Sequence, residues 1–336
     1  MDPESIDSVA PVTHGSSDDP DLLDFSANTN PVIPEGVENV YRDAVEASTR
    51  AEFPSIEQFR RVAAAAVDCD PTAIVPTWGG IEAIRLAVAL TVTPGDSVLV
   101  PAPSFGEYAR EVELQGGTPT FAPAEGIVDE DPADHALVIV CQPNNPTGRA
   151  VDADRLQSFA ARCRAADTPL LIDEAFLDFT GRDSLAGVPG VIVARSLTKM
   201  YGLPGLRVGD AVATGTLGER LRTASQPGAI SPPALAVGTH CLQQEEFVAE
   251  TTRRVRSERE RIREELSEQF DVYPSEAPFL LLDVGERDVD GLLARARERG
   301  LALRDARTFR RLDSHVRIAV RLPEENDRLL EALSDV

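Results

Sequence analysis

One side chain in this sequence can serve as a primary amine. Lys199 is the single lysine, and removing it from the 33 basic residues leaves 33 − 1 = 32 arginines. On a surface the two types are nearly interchangeable. A guanidinium keeps its proton near neutral pH, whereas a desolvated ammonium can lose one and become a nucleophile. A chain that uses arginine everywhere else and lysine once therefore points to amine chemistry at Lys199. That residue lies in Ser196-Leu197-Thr198-Lys199, just past the apolar run Val191–Ala194 and eight positions before Arg207. Asp173 and Glu174 follow a second apolar run ending at Ile172, and Pro143-Asn144-Asn145-Pro146-Thr147-Gly148 follows a third ending at Cys141. Strand ends are where open α/β sheets bind ligands. Three such exits would present an amine, a carboxylate and a carboxamide together.

This set matches the needs of pyridoxal 5'-phosphate. The amine condenses with the aldehyde, Asp173 holds the pyridine nitrogen protonated, and Asn145 hydrogen-bonds the ring phenolate. The cofactor phosphate needs donors. Gly79-Gly80-Ile81, ahead of a helix beginning near Glu82, supplies backbone N–H groups and a favourable helix dipole. Ser196 and Arg207 complete that cradle. An aromatic cover for the ring comes from Phe105 or Tyr108, with Tyr108 the favoured candidate. No strand runs into a G-x-G-x-x-G turn with an acidic residue about 20 positions on, which excludes a dinucleotide fold.

The elements that must position these groups read as α/β. Apolar runs at Ser97–Val100, Ala136–Cys141, Pro169–Ile172, Val191–Ala194 and Val208–Ala213 read as buried strands. Between them, Glu82–Leu90, Ser104–Gln115 and Asp152–Ala165 read as crossover helices, the last N-capped by Asp152. From about Pro232 the texture becomes α+β. A long charged helix covers Glu245–Gln269, a strand Phe279–Val284, a helix Val289–Arg299, strands Leu301–Arg304 and Val316–Val320, and a final helix starts at Pro323.

Composition narrows the function. The net charge of −23 opposes broad contact with nucleic acid or anionic lipid, and no run approaches a membrane span. Met1–Asp24 has no export pattern, so a cytoplasmic location is expected. Such acidity suits concentrated salt, with activity expected to fall at low salt. The four cysteines and four histidines lack metal-ligand spacing, so no metal is expected.

Several segments resemble the fold type I pyridoxal-phosphate enzymes, and within them the class I/II aminotransferase family, over essentially the whole chain. They are His14-Gly15, Leu22 to Asn28, Asn30-Pro31, Asp173-Glu174-Ala175-Phe176, Ser196 to Lys199, Pro204-Gly205-Leu206-Arg207 and Leu312-Asp313-Ser314. The resemblance implies a large domain over 45–235 with a mainly parallel sheet flanked by helices. A smaller α+β domain would be built from 1–44 and 236–336. Within the family these segments are most similar to the threonine-phosphate decarboxylases. The histidinol-phosphate aminotransferases share the Pro-Asn-Asn-Pro-Thr-Gly segment but usually carry tyrosine where this chain has Phe176. A binding protein without turnover is a third reading.

Carried over residue by residue, the resemblance implies that Lys199 carries the cofactor and Asp173 pairs with its ring nitrogen. Asn145 meets the phenolate, and Arg317 clamps the substrate carboxylate. His14, Asn30 and Arg304 would meet the phosphate of a small phosphorylated amino acid, and a homodimer is expected. Two departures stand out. Phe53 occupies a place where relatives commonly have tyrosine, and Trp78 and Ile81 replace smaller or hydroxylated residues in the phosphate loop, leaving more to backbone donors.

Overall fold

The computed structural model describes residues 1–49 and 56–334; Phe53 lies outside the described residues. In chain order the elements are β1 (Leu23–Asp24), α1 (Val37–Ala47), α2 (Glu57–Ala66), β2 (Ile74–Thr77), α3 (Gly80–Thr91), β3 (Ser97–Ala102), α4 (Glu107–Leu114), β4 (Thr118–Pro123), β5 (Leu137–Cys141), α5 (Ala153–Ala165), β6 (Leu170–Asp173), β7 (Val191–Ser196), α6 (Leu197–Met200) and β8 (Gly209–Val212). They continue with α7 (Gly215–Ala224), α8 (Pro232–Leu242), α9 (Glu245–Leu266), β9 (Asp271–Val272), β10 (Phe279–Asp283), α10 (Val289–Glu298), β11 (Leu301–Ala302), β12 (Arg304–Asp305), β13 (His315–Ala319) and α11 (Pro323–Leu333).

A seven-stranded sheet in the order β2-β8-β7-β6-β5-β3-β4 forms the centre. It is parallel except for β8, which runs antiparallel to both of its neighbours. β5, β6 as far as Ile172 and β7 as far as Ala194 are apolar without interruption because both faces are covered. Along β6, Leu170 and Ile172 join the core that also holds Leu156 and Phe159 of α5, while Leu171 joins the opposite core with Ala83, Ile84 and Ala87 of α3. Asp152 caps α5 as its sequence position anticipates, accepting from the N–H groups of Asp154 and Arg155 at 3.1 Å each.

Two smaller sheets stand against this frame. One pairs β1 with β11; the other is antiparallel, in the order β12-β13-β10-β9. The single strand expected at Leu301–Arg304 is therefore two strands in different sheets: β11 pairs with β1, and β12 pairs with β13. This break places Arg304 directly opposite Arg317 in the β12–β13 register.

Candidate active site

The strands β7, β6 and β5 are immediate neighbours, so their C-terminal ends meet. Side chains alternate across a strand, and β5 and β6 end on Cys141 and Asp173, on the face that carries α3 and α4. Ser196 closes β7, and the one-turn helix α6 lifts Lys199 above the sheet directly after it. A cavity of about 360 Å³ opens there, lined by Lys199, Asp173, Asn145, Tyr108, Ser196 and Arg207 together with Gly80 and Ile81. His14, Arg304 and Arg317 line it from the other side. Of the residues given a catalytic, cofactor or substrate role from the sequence, the structure brings all but Gly79 and Asn30 to the cavity wall; Trp78 does not line it.

The electrostatics of the amine are unusual. Burial, reinforced by the positive charges of Arg317 and Arg207, pushes the Lys199 ammonium down to about 8, with Asp173 opposing. The neutral, nucleophilic amine therefore accumulates just above neutrality. Asp173 is itself buried, which raises its carboxyl, while hydrogen bonds from Tyr108 Oη at 2.6 Å and the Ala175 N–H at 3.0 Å favour the anion. Tyr108 is fully buried, and that burial and the nearby Asp173 charge keep its phenol protonated. Its hydroxyl thus acts as a donor to Asp173, an orientation the reading of Tyr108 as a ring cover did not contain. Asn145 Oδ1 accepts from Arg317 Nη1 at 2.5 Å, which commits the carboxamide oxygen and leaves its N–H₂ to donate.

These values predict a pH dependence. Below about 8 Lys199 is protonated and cannot attack, so the rate at which cofactor-free protein captures pyridoxal phosphate rises as pH climbs through about 8. Arg317→Gln removes a neighbouring positive charge, favours the protonated amine and shifts this midpoint upward. Stopped-flow absorbance across a pH series reads both, and an unmoved midpoint in the variant refutes the coupling.

The phosphate cradle is visible in what a side chain would disturb. Gly79 precedes α3 with φ +111°, a left-handed conformation, and a Cβ there would lie 2.7 Å from Arg207 Nη2. Gly79 thus touches the cavity through the guanidinium packed on it. At Gly80 a Cβ would approach Ser196 Cβ at 3.3 Å. Ser196 Oγ is 2.9 Å from Thr198 Oγ1, so two hydroxyls stand beside the helix N-terminus. The glycines, hydroxyls and Arg207 form a seat for a phosphate at the start of α3. In Gly79→Ala the added Cβ, 2.7 Å from Arg207 Nη2, would push the guanidinium out of the seat. Its expected result is pyridoxal phosphate affinity roughly tenfold weaker by equilibrium dialysis, the scale of one charge-assisted hydrogen bond, with stability also lowered by backbone strain of about 1 kcal/mol or more.

Across the cavity sits a second positive region. Arg317 is 4% exposed and bonds Asn145 Oδ1 and the Ser26 carbonyl, with Nε unpartnered among the described residues. Burial, then Arg304, pushes its guanidinium down to about 9. Arg304 donates to the carbonyls of Thr13 and His14 and to Thr308 Oγ1, and its Nε is also unpartnered. Neither arginine has a carboxylate within ion-pair distance among the described residues.

Asn30 requires a correction. Its Nδ2 donates to the Met200 carbonyl at 2.8 Å and to Thr251, and its Oδ1 accepts from Arg254 and the Val32 N–H. It clips the turn that carries Lys199 to α9 and has no capacity left for a ligand. Asn28, two residues earlier, takes the place expected of it: 4% exposed, lining the cavity, with Oδ1 unpartnered among the described residues. Strand-like alternation could not separate the two, because they lie on the same side at a spacing of two; the partners of Asn30 decide it. Phe176 lines the cavity with its ring edge-on to Phe279, 5.1 Å away.

A buried amine near neutrality, a carboxylate beneath the same cavity and a glycine-lined phosphate seat define an α/β enzyme that works through pyridoxal phosphate. The description "Aminotransferase class I and II" matches residues 20–333, and the chain belongs to that family. It is 32% identical over 335 residues to the threonine-phosphate decarboxylase of Salmonella typhimurium, covering 94% of this chain and 91% of the relative. It is 30% identical over 331 residues to histidinol-phosphate aminotransferase 2 of Archaeoglobus fulgidus, covering 95% and 94%. The histidinol-phosphate aminotransferase of Sinorhizobium meliloti, solved in complex with pyridoxal-5'-phosphate, superposes with a TM-score of 0.83 at 22% identity, over 94% of this chain and 90% of that one.

Proposed function

We propose that the enzyme decarboxylates L-threonine O-3-phosphate to (R)-1-amino-2-propanol O-2-phosphate, a step of cobalamin biosynthesis. The observation that carries this reading is the arginine pair. Arg304 and Arg317 face each other in register, both buried in one cavity without a carboxylate partner among the described residues. Unpaired buried charge costs several kcal/mol per ion, so this arrangement favours a ligand that brings two anionic groups. Threonine phosphate carries a carboxylate and a phosphate on one small molecule. Histidinol phosphate carries a phosphate and no carboxylate, so in that reading the second arginine would wait for the carboxylates of the keto-acid acceptor.

In this proposal Arg317 grips the carboxylate bidentately, and Arg304, His14 and Asn28 take the phosphate. When bound, pyridoxal phosphate draws electrons from the bonds of the substrate carbon that bears the amine. Asp173 keeps the ring nitrogen protonated and so sustains that withdrawal. The two anion grips fix rotation about that carbon, and the rotation decides whether the carboxylate or a proton leaves. With the carboxylate released as carbon dioxide, Lys199 returns a proton to the same carbon.

Histidinol-phosphate transamination is the second reading, favoured by relatives of that name at similar identity. Purified holoenzyme given threonine phosphate should release carbon dioxide without a keto-acid acceptor. Glutamate formed from histidinol phosphate and 2-oxoglutarate, with no carbon dioxide from threonine phosphate, overturns the proposal. The reading extends to a homodimer working in concentrated salt, tested by sedimentation and by activity across a salt series.

A further inference from the structure

We propose that Glu107 is a positioning residue that holds the imidazole of His14 toward the substrate phosphate; the inference rests on the reading of that cavity wall as a phosphate seat. His14 belongs to an N-terminal segment without regular structure, and the segment is stitched down at several points. Arg304 donates to the carbonyls of both Thr13 and His14. At Gly15 an added Cβ would lie 2.6 Å from the Ser26 carbonyl and 2.9 Å from Arg304 Cδ. At Gly106 it would lie 2.8 Å from Val12 Cγ1. The backbone of residues 12–15 is thus wedged between the start of α4 and Arg304, and His14 cannot drift far from either.

Its imidazole is then fixed by a buried acid. His14 Nε2 lies 2.9 Å from Glu107 Oε1, and the Glu107 side chain is 7% exposed against 50% for His14. The other carboxylate oxygen, Oε2, accepts from Arg110 Nη1 at 3.2 Å. Glu107 is therefore held from behind by a cation and presents its free oxygen to the ring. A carboxylate on one imidazole nitrogen fixes the ring's orientation. Nδ1 has no hydrogen-bond partner among the described residues and is left to face a ligand. An imidazole that bridges Glu107 and a phosphate oxygen donates from both nitrogens, and beside Arg304 and Asn28 it would make a charge-assisted hydrogen bond to the phosphate.

The groups facing His14 are Glu107, Arg110 behind it, Phe105 with its ring 5.9 Å away, and Arg304 across the backbone. Glu107 itself does not line the cavity, so it acts through the ring. Nothing in its sequence position, inside Pro103 to Tyr108, marks it for this role.

The test is a specificity ratio. For the holoenzyme, kcat/KM is measured with threonine phosphate and threonine, and with histidinol phosphate and histidinol. Glu107→Gln keeps the shape and removes the charge. It should lower the preference for the phosphorylated member of the working pair about tenfold, the scale separating charge-assisted from neutral hydrogen bonds. In a His14→Ala background the same substitution should leave the ratio where His14→Ala put it. Equal loss on both members of a pair, or full additivity in the double variant, overturns the inference. Turnover of the histidinol pair instead of the threonine pair overturns the function proposed above, while the ratio still judges Glu107. Should Glu107→Gln fail to fold, the unaltered protein decides. With four histidines in the chain, the imidazole ¹⁵N signals can be followed during titration with inorganic phosphate. His14 should respond and read as doubly protonated in the complex; a neutral or unresponsive His14 refutes the idea.

Discussion

Replacing Lys199 by arginine should abolish turnover, with kcat down by on the order of 10⁵-fold or more, the scale on which losing a covalent nucleophile is felt. The substitution keeps a positive charge and roughly the length of the side chain. What it removes is the primary amine: burial and two arginines bring the ammonium to about 8, so the free amine is available to attack an aldehyde, whereas a delocalised guanidinium cannot take that role. A mapping experiment accompanies the rate. Borohydride reduction of the holoenzyme followed by trypsin should place the pyridoxyl group in one peptide, Ser196–Arg207, because cleavage falls after Arg195 and Arg207 and the modified lysine is skipped. Label found elsewhere, or retained in Lys199→Arg, would contradict the assignment.

Asp173→Asn should leave the cofactor bound and cost roughly 10²–10³ in kcat, the range for removing one preorganised electrostatic contact. The carboxamide preserves shape and can still accept from Tyr108 or Ala175, but it cannot hold a cationic ring nitrogen. The same variant has a second readout of opposite sign to Arg317→Gln. Asp173 is the group that supports the Lys199 ammonium, so its neutralisation should carry the capture midpoint below about 8. Movement upward, or a rate within a few-fold of the parent, would mean that Asp173 does not face the ring nitrogen.

The central strands were legible because strands covered on both faces open as unbroken apolar runs: β5, β6 and β7 have no exposed residue, and their polar residues fall only at the C-terminal ends. The exits of those runs led to Lys199, Asp173 and Asn145. β4 escaped because it is an edge strand, Thr118–Pro123, with two prolines and alternating exposure. β2 escaped because it is short and carries Pro76. The reversed direction of β8 has no local signature, since an apolar run reads the same both ways. At the site, residues whose chemistry is intrinsic were readable, whereas those whose role depends on a partner were not. The Tyr108 hydroxyl, the Glu107 carboxylate and the exchange of Asn30 for Asn28 all turn on contacts across more than 60 positions of sequence.

The solitary amine has a practical corollary. Apart from the chain's α-amino group, acylating and carbamylating reagents meet no other ammonium on this surface, because arginine supplies every other cation. The one susceptible side chain is recessed in the cavity wall, and once condensed with the cofactor it is masked. Modification at Lys199, read on the tryptic peptide Ser196–Arg207, therefore counts empty sites one by one, giving the fractional loading of a preparation without substrate and without a rate measurement.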